Sequence, residues 1–404
     1  LCALVLSPSA FSAEPERVVA VGDIHGEYEG LVSILQKSGL VDQKLKWTGG
    51  KATFVQVGDY LDRGPEVRKV MDLLMALERS AAKKRGKAIV LLGNHETMNL
   101  TSALHEADPA AYAAFADHKS EKRRQAAWAK VVALHGQLSA RYGREPWKLL
   151  DEAAWSEKHP LGFVEFQEAL GRDGKYGRWL RNRPAVVKVG DTVFVHAGIS
   201  PKAREGTVEK INRQVQLEIE AFDRVREYLV AQKLILPFFT YPEILAVVDL
   251  ELARPEPVPE EMLRVLRLAK SVYEWTIFNP DGPLWFRGYG EWSEEEGREQ
   301  VAGLLNGLGA AVIGHVAQQE QVANLILGGS EVQEQDLAGG IVNGADQVAQ
   351  LERAAGASEL EHAGGGHADR RYVEIARPAE GYHLEGANGL ETAEISDEGD
   401  IGVI

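Results

Sequence analysis

Asp23 and His25 stand two residues apart in "GDIHG" (22–26), where an apolar run, "RVVAV", ends. Side chains two apart on a strand point the same way, so a carboxylate and an imidazole face one side of the turn. The flanking glycines let the backbone turn sharply and pass close to a bound group. A metal ion is one candidate for that group; the plainer alternative is a strand-to-helix turn with Asp23 as helix cap. Two further clusters follow the same design, "GDYLDRG" (58–64) and "GNHE" (93–96), and "HAG" (196–198) and "GHV" (314–316) add histidines. Taken singly, each has an ordinary explanation. A lone His196 or His315 is more often a hydrogen-bonded core histidine. Asp59, Asp62 and Arg63 could form a turn with a surface ion pair, and Asn94 could be a cap. Yet all five clusters end apolar runs, and in open α/β sheets ligands gather beyond the carboxyl ends of strands. That coincidence points to one polar site.

The elements that must position these residues are readable from pattern. "RVVAVGD", "ATFVQVGD" and "KAIVLLGN" read as strands. Between them, "YEGLVSILQKSGL", ending near Gly39, and "EVRKVMDLLMALERSAAKKRG" read as amphipathic helices. This β-α-β-α-β order implies an α/β fold with at least a partly parallel sheet and helices on its faces. Residues 101–185, rich in Ala, Trp, Glu, Lys and Arg, read as a helical insertion, and 206–275 as largely helical. "AVVKVGDTVFVHAGI" (185–199) reads as strand, turn, strand, and "GAAVIGHV" (309–316) as one more buried strand. From 317 the pattern degrades, with "RRYVEIA" still readable as a strand. The expected organisation is a catalytic domain over 14–376 and an acidic, flexible tail over 377–404. His362 and His367, in a Gly-rich stretch, are expected to face solvent. No internal repeat is evident.

Composition narrows the chemistry. The sequence has 404 residues, 45% of them hydrophobic and 26% charged, with a formal net charge of −15. That charge argues against nucleic acid or an anionic membrane as the main partner. A site for phosphate here must supply its own local positive charge. The only cysteine is Cys2. It lies in a run, "LCALVLSPSAFSA", whose Ala10-Phe11-Ser12 fits a small-x-small cleavage site. Residues 1–13 thus read as the remnant of a signal peptide, implying a periplasmic or secreted protein. Beyond Cys2 there is no thiolate nucleophile, disulfide or Cys-ligated zinc. No apolar run reaches the ~20 residues that span a bilayer.

The triple GDxHG, GDxxDRG, GNHE resembles the calcineurin-like metallophosphoesterases, and more specifically their phosphoprotein phosphatase branch. "GNHETMNLTSAL", "AAYAAFADHKSEKRRQAAW" and "GPLWFRGY" look most like its Shewanella-like protein phosphatase subgroup. The resemblance covers residues 17 to about 316, with gaps. It implies a sandwich of central mixed β-sheets flanked by helices. The family carries a short strand and an Asp-Gly turn after the GH motif; here "ILGGSEVQEQDLAGGIVNG" occupies that region.

Carried over, the resemblance implies a dinuclear centre. Asp23 and His25 bind one metal, Asn94, His196 and His315 the other, and Asp59 bridges both. Two cations ~3.5–4 Å apart need a shared carboxylate and together clamp a phosphoryl group. Imidazoles mixed with carboxylates suit two transition-metal ions, Mn first, with Fe or Zn as alternatives. A hydroxide bridging the metals is then the nucleophile. His95 protonates the leaving oxygen and Asp62 orients its imidazole. Arg63 forks onto phosphate oxygens, and Arg287 is the second clamp, although a surface arginine beside a core Trp-Phe pair explains it equally. Glu96 supports the site without reacting. The expected activity is phosphomonoester hydrolysis on phosphoprotein, phosphotyrosine ahead of phosphoserine or phosphothreonine. The rivals are a nucleotide pyrophosphohydrolase or phosphodiesterase of the same fold, and a non-catalytic phosphoprotein-binding protein. The sequence does not speak to the oligomeric state.

Overall fold

A computed structural model describes residues 17–203, 207–314, 325–327 and 373–376. His315, the proposed leader, His362, His367 and the acidic tail lie outside the described residues. The strands are β1 (Val18–Val21), β2 (Thr53–Gln56), β3 (Lys87–Val90), β4 (Val186–Val189), β5 (Thr192–Val195), β6 (Val312–Gly314), β7 (Leu325–Leu327) and β8 (Val373–Ala376). In the first sheet the order is β3-β2-β1-β8, and every pairing is parallel. The second, of order β4-β5-β6-β7, is mixed: β5 and β6 are parallel, the outer pairs antiparallel. The β7 strand falls in the stretch that sequence pattern left unassigned, because three apolar residues carry no readable period.

Both faces of the first sheet are covered, which is why its strands are continuous apolar runs and not alternating ones. Val18, Ala20, Val55 and Val57 pack with Leu91 and with Phe194 of β5, forming a core layer between the sheets. Val19, Val21 and Phe54 face the other way, into the helical layer. There α1 (Tyr28–Lys37) and α2 (Val67–Lys83) bury Leu31, Leu35, Val70, Met71 and Leu74.

Helix α3 (Asn94–Leu100) follows β3 and is buried at every residue. The next segment holds α4 (Pro109–Ala113), α5 (Ser120–Tyr142), α6 (Glu152–Lys158), α7 (Phe163–Leu170) and α8 (Lys175–Leu180). After β5 come α9 (Val208–Ala231), α10 (Tyr241–Leu252) and α11 (Glu260–Lys270), then α12 (Gly288–Glu291) and α13 (Glu294–Leu308). These helices bind one another through paired charges. Arg181 donates twice to the buried Asp223 of α9, at 2.7 Å each. Glu251, fully buried on α10, is satisfied by Arg141, Tyr142 and Arg254, as a carboxylate removed from water must be. They also fasten the end of α3. Tyr241 N donates to Ser102 O at 2.8 Å, and Arg226 donates to Ser102 Oγ at 3.2 Å.

Candidate metal centre

The loops after β1, β2 and β3 are stitched together by backbone. Ile24 N and His25 N both donate to Asp59 O, at 2.9 and 3.0 Å, and Gly26 N donates to Tyr60 O at 3.2 Å. Gln56 Nε2 bridges the first two loops by donating to Gly22 O (2.9 Å) and Gly58 O (3.1 Å). The second and third loops touch so closely that neither tolerates a side chain. A Cβ at Gly58, whose φ is +102°, would lie 2.5 Å from Gly93 N, and one at Gly93 would lie 2.1 Å from Asp59 Oδ1.

Glu96 is the organiser of this junction. Its carboxylate accepts from the amides of Asp59 (2.8 Å), Tyr60 (3.0 Å), Leu61 (3.0 Å) and Gly93 (2.7 Å). Burial and the nearby Asp59 charge push its carboxyl up to about 7, against these amides. With four N–H groups filling its lone pairs, we take the carboxylate as its state. The loop it grips carries Asp59, Asp62 and Arg63 at φ values of 55°, 63° and 59°, and His25 is at 46°. Left-handed backbone at four non-glycine residues costs energy and marks a loop shaped for its side chains.

Those side chains converge on Asp59, which is fully buried. Asp59 Oδ2 lies 3.3 Å from His196 Nε2 and 3.8 Å from both His25 Nε2 and His95 Nε2. Asp23 sits between two imidazoles, with Oδ2 4.0 Å from His25 Nε2 and Oδ1 3.8 Å from His196 Nδ1. Two sets of potential ligands result, His25–Asp59–His95 and Asp23–Asp59–His196, each with ligand atoms within 4.8 Å of one another and both sharing Asp59. His25 Nδ1–H donates to Leu61 O (2.9 Å) and His196 Nδ1–H to Val57 O (3.2 Å), which turns both Nε2 atoms inward.

The donor set fits a cation. The side-chain amide of Asn94 places its terminal atom 2.9 Å from His196 Nε2 and 3.3 and 3.2 Å from the Asp59 oxygens. An amide oxygen there sits beside the Asp59 oxygens and His196 Nε2, a cluster of donor atoms that a positive ion would satisfy once Nε2 gives up its proton. Burial pushes the His25 imidazole down to about 4, so its lone pair is available at neutral pH. Burial disfavours charge on Asp59 and on His196, but their mutual attraction wins. Asp59 is held well below the usual carboxylate range and His196 is raised to about 9.

Beside this cluster stands a proton-holding pair. His95 Nδ1 lies 2.8 Å from Asp62 Oδ2, with both residues buried. Burial lowers the His95 pKa, yet the Asp62 hydrogen bond and the Asp59 charge leave it raised overall. Arg63 is about half exposed, its Nη1 3.3 Å from His25 Nε2 and its Nε 3.4 Å from Glu106 Oε2. Arg287 is partly buried. Burial lowers its pKa, against the opposing charges of Asp59 and Asp23, which act on its guanidinium. His315 lies outside the described residues. The others, Asp23, His25, Asp59, Asp62, Arg63, Asn94, His95, His196 and Arg287, are brought together.

Two contacts here are not announced by the sequence. Asn99, one helical turn after His95, donates to Asp62; the i, i+4 spacing in "NHETMN" is the signal that could have found it. Tyr289 accepts from Ile199 N (2.9 Å) and donates to Ile199 O (3.1 Å), while Pro283 O takes the amides of Ala197 and Gly198. The 283–289 segment, which includes Arg287, thereby clips the loop after His196. No local pattern reveals a bond of that reach.

Comparison with known proteins agrees with this layout. Residues 16–319 match the family model described as calcineurin-like phosphoesterase. Shewanella-like protein phosphatase 2 of Arabidopsis thaliana is 31% identical over 226 residues, 52% of this chain and 53% of that protein. Shewanella-like protein phosphatase 1 of Plasmodium berghei is 26% identical over 219 residues, 53% and 49% of the two chains. The chain thus spans about half the length of these curated relatives. A solved cold-active protein-tyrosine phosphatase of a psychrophilic Shewanella aligns over 75% of this chain and 67% of its own, at 22% identity and a TM-score of 0.44. With a family match that spans residues 16–319, the loops after β1, β2, β3 and β5 included, the chain belongs to the calcineurin-like phosphoesterases.

Proposed function

We propose that the protein is a metal-dependent phosphomonoesterase acting on phosphoprotein, with phosphotyrosine preferred. The observation that carries the reading is a buried carboxylate, Asp59, shared by two ligand sets, with a His95–Asp62 pair alongside. Two divalent ions held there, with Mn the first candidate, would supply Lewis acidity and an activated water at neutral pH. Asp23, His25, Asp59, Asn94 and His196 would hold them, with His315, outside the described residues, as the further ligand the motifs imply. Arg63 grips the phosphoryl oxygens from the solvent side, and Arg287 from the partly buried side. As the water oxygen bonds to phosphorus and the ester P–O bond breaks, His95 Nε2–H gives its proton to the leaving oxygen. Asp62 holds the ring through Nδ1 meanwhile. The phosphoprotein preference rests on likeness to the Shewanella-like protein phosphatases. The phosphotyrosine preference rests on the subgroup motifs alone.

A panel of esters on the Mn-reconstituted protein tests this. Nitrophenyl phosphate and a phosphotyrosine peptide should be hydrolysed, the latter faster than its phosphoserine counterpart. The bis-nitrophenyl diester and dinucleoside polyphosphates should lag. Preference for the diester or polyphosphate would replace the reading with a phosphodiesterase or pyrophosphohydrolase, and no turnover of any of them with a non-catalytic binder.

Arg63→Lys separates phosphate binding from metal binding. Lysine keeps the charge but loses the planar fork. Among the described residues the half-exposed guanidinium is held by long contacts to His25 and Glu106, so it is available to a ligand. Losing one charged hydrogen bond should lower kcat/KM about 10-fold, mostly through KM. Inhibition by inorganic phosphate should weaken in parallel and metal content stay constant. Unchanged phosphate inhibition would move the clamp to Arg287.

A further inference from the structure

The His95–Asp62 pair has a third member. Asn99 is 3% exposed and reaches back along α3. Its Nδ2 donates to Asp62 Oδ1 and Oδ2, at 2.8 Å each, and to His95 O at 2.9 Å. One amide group thus registers the carboxylate against the backbone of the residue it orients. Its own Oδ1 meets no donor among the described residues, so the contact to Asp62 is the one it is built for. The amide cannot turn over, because its oxygen would then press on two carboxylate oxygens. Asp62 needs such a hold. It sits at a left-handed φ of 63°, and its carboxylate could otherwise rotate away from His95 Nδ1.

We infer that Asn99 is a positioning residue for proton donation to the leaving group. It acts through Asp62 on His95 and touches neither substrate nor metal ligand carboxylate. The inference rests on the phosphomonoesterase reading for its kinetic consequence, though not for its geometry. Removing Asn99 frees the Asp62 plane and loosens the Nδ1–H bond, so Nε2–H spends less time aimed at the leaving oxygen. The penalty must then grow as the leaving group becomes harder to expel without a proton.

The test compares Asn99→Ala and Asn99→Ser with the wild type, using phenyl phosphate and dinitrophenyl phosphate. Outer partners of catalytic histidines typically cost about 10–100-fold, and that loss is expected in kcat for phenyl phosphate. Dinitrophenyl phosphate, whose leaving group needs little protonation, should lose less than about threefold. KM and metal content should not change. The serine variant, which retains a donor and keeps the site polar, should fall between. A second readout needs no turnover: in the metal-free protein, the His95 Nδ1 proton seen by NMR should broaden through exchange in the variants. An equal loss on both esters, a loss of metal, or an unchanged proton signal would overturn the inference. If the wild type hydrolyses neither ester, the phosphomonoesterase reading fails. The proton signal then decides the role of Asn99 by itself.

Discussion

Asp59→Asn is expected to leave a folded protein that retains less than one metal equivalent and has lost activity by at least about a thousandfold, since several kcal/mol of charge stabilisation is withdrawn. The backbone of residue 59 itself does not depend on its carboxylate, and the backbone bond that the carboxylate takes from His95 N can be kept by an amide oxygen. The carbonyl of residue 59 takes the amides of Ile24 and His25, and its own amide goes to Glu96. The carboxylate itself faces three imidazole nitrogens within 3.8 Å and belongs to both ligand sets. An amide there offers one oxygen and two unwanted hydrogens, and no charge to offset two cations. Asp23→Asn is the control. Asp23 is on the open side of the cluster, 20% exposed, and belongs to one ligand set. It should lose one metal and less activity. Elemental analysis with circular dichroism checks both variants; full metal content in Asp59→Asn would refute the shared-carboxylate model.

His95→Asn should lower kcat by about 10²–10⁴-fold, the usual contribution of general acid catalysis, with metal content intact. The backbone amide of residue 95 keeps its 3.1 Å bond to Asp59 Oδ1, so helix α3 should still start where it does. What is lost is the ring between Asp62 and the cluster. The loss should shrink for esters with acidic leaving groups, measured as kcat across a series of aryl phosphates. His95 Nε2 also lies within ligand range of Asp59 and His25. A drop of one metal equivalent in His95→Asn would therefore make it a ligand and not the proton donor.

Much of this site was legible because its candidate ligands repeat one physical pattern. Asp23, Asp59, Asn94 and His196 each follow a short apolar strand, and the parallel strands β1, β2 and β3 deliver the first three to one edge. The strands themselves were legible because β1 and β2 are buried on both faces. What local pattern does not carry is reach. Asn99 and Tyr289 act through hydrogen bonds to residues 37 and 90 positions away. Glu96 sits inside the ligand motif, but nothing in "GNHE" says that its carboxylate gathers four amides from two loops. One proximity was equally hidden. Asp23 stands between His25 and His196, a relation set by how β5 meets the first sheet and not by the spacing of Asp23 and His25.

Metal stoichiometry measured together with turnover tests the central claim most directly. The wild-type protein, stripped by chelator and titrated with Mn, should regain nitrophenyl phosphatase activity as bound metal approaches about two equivalents per chain. Activity should track the second equivalent, because both ions share Asp59. Full activity at one equivalent, or two equivalents bound with no phosphomonoesterase activity, would contradict the account.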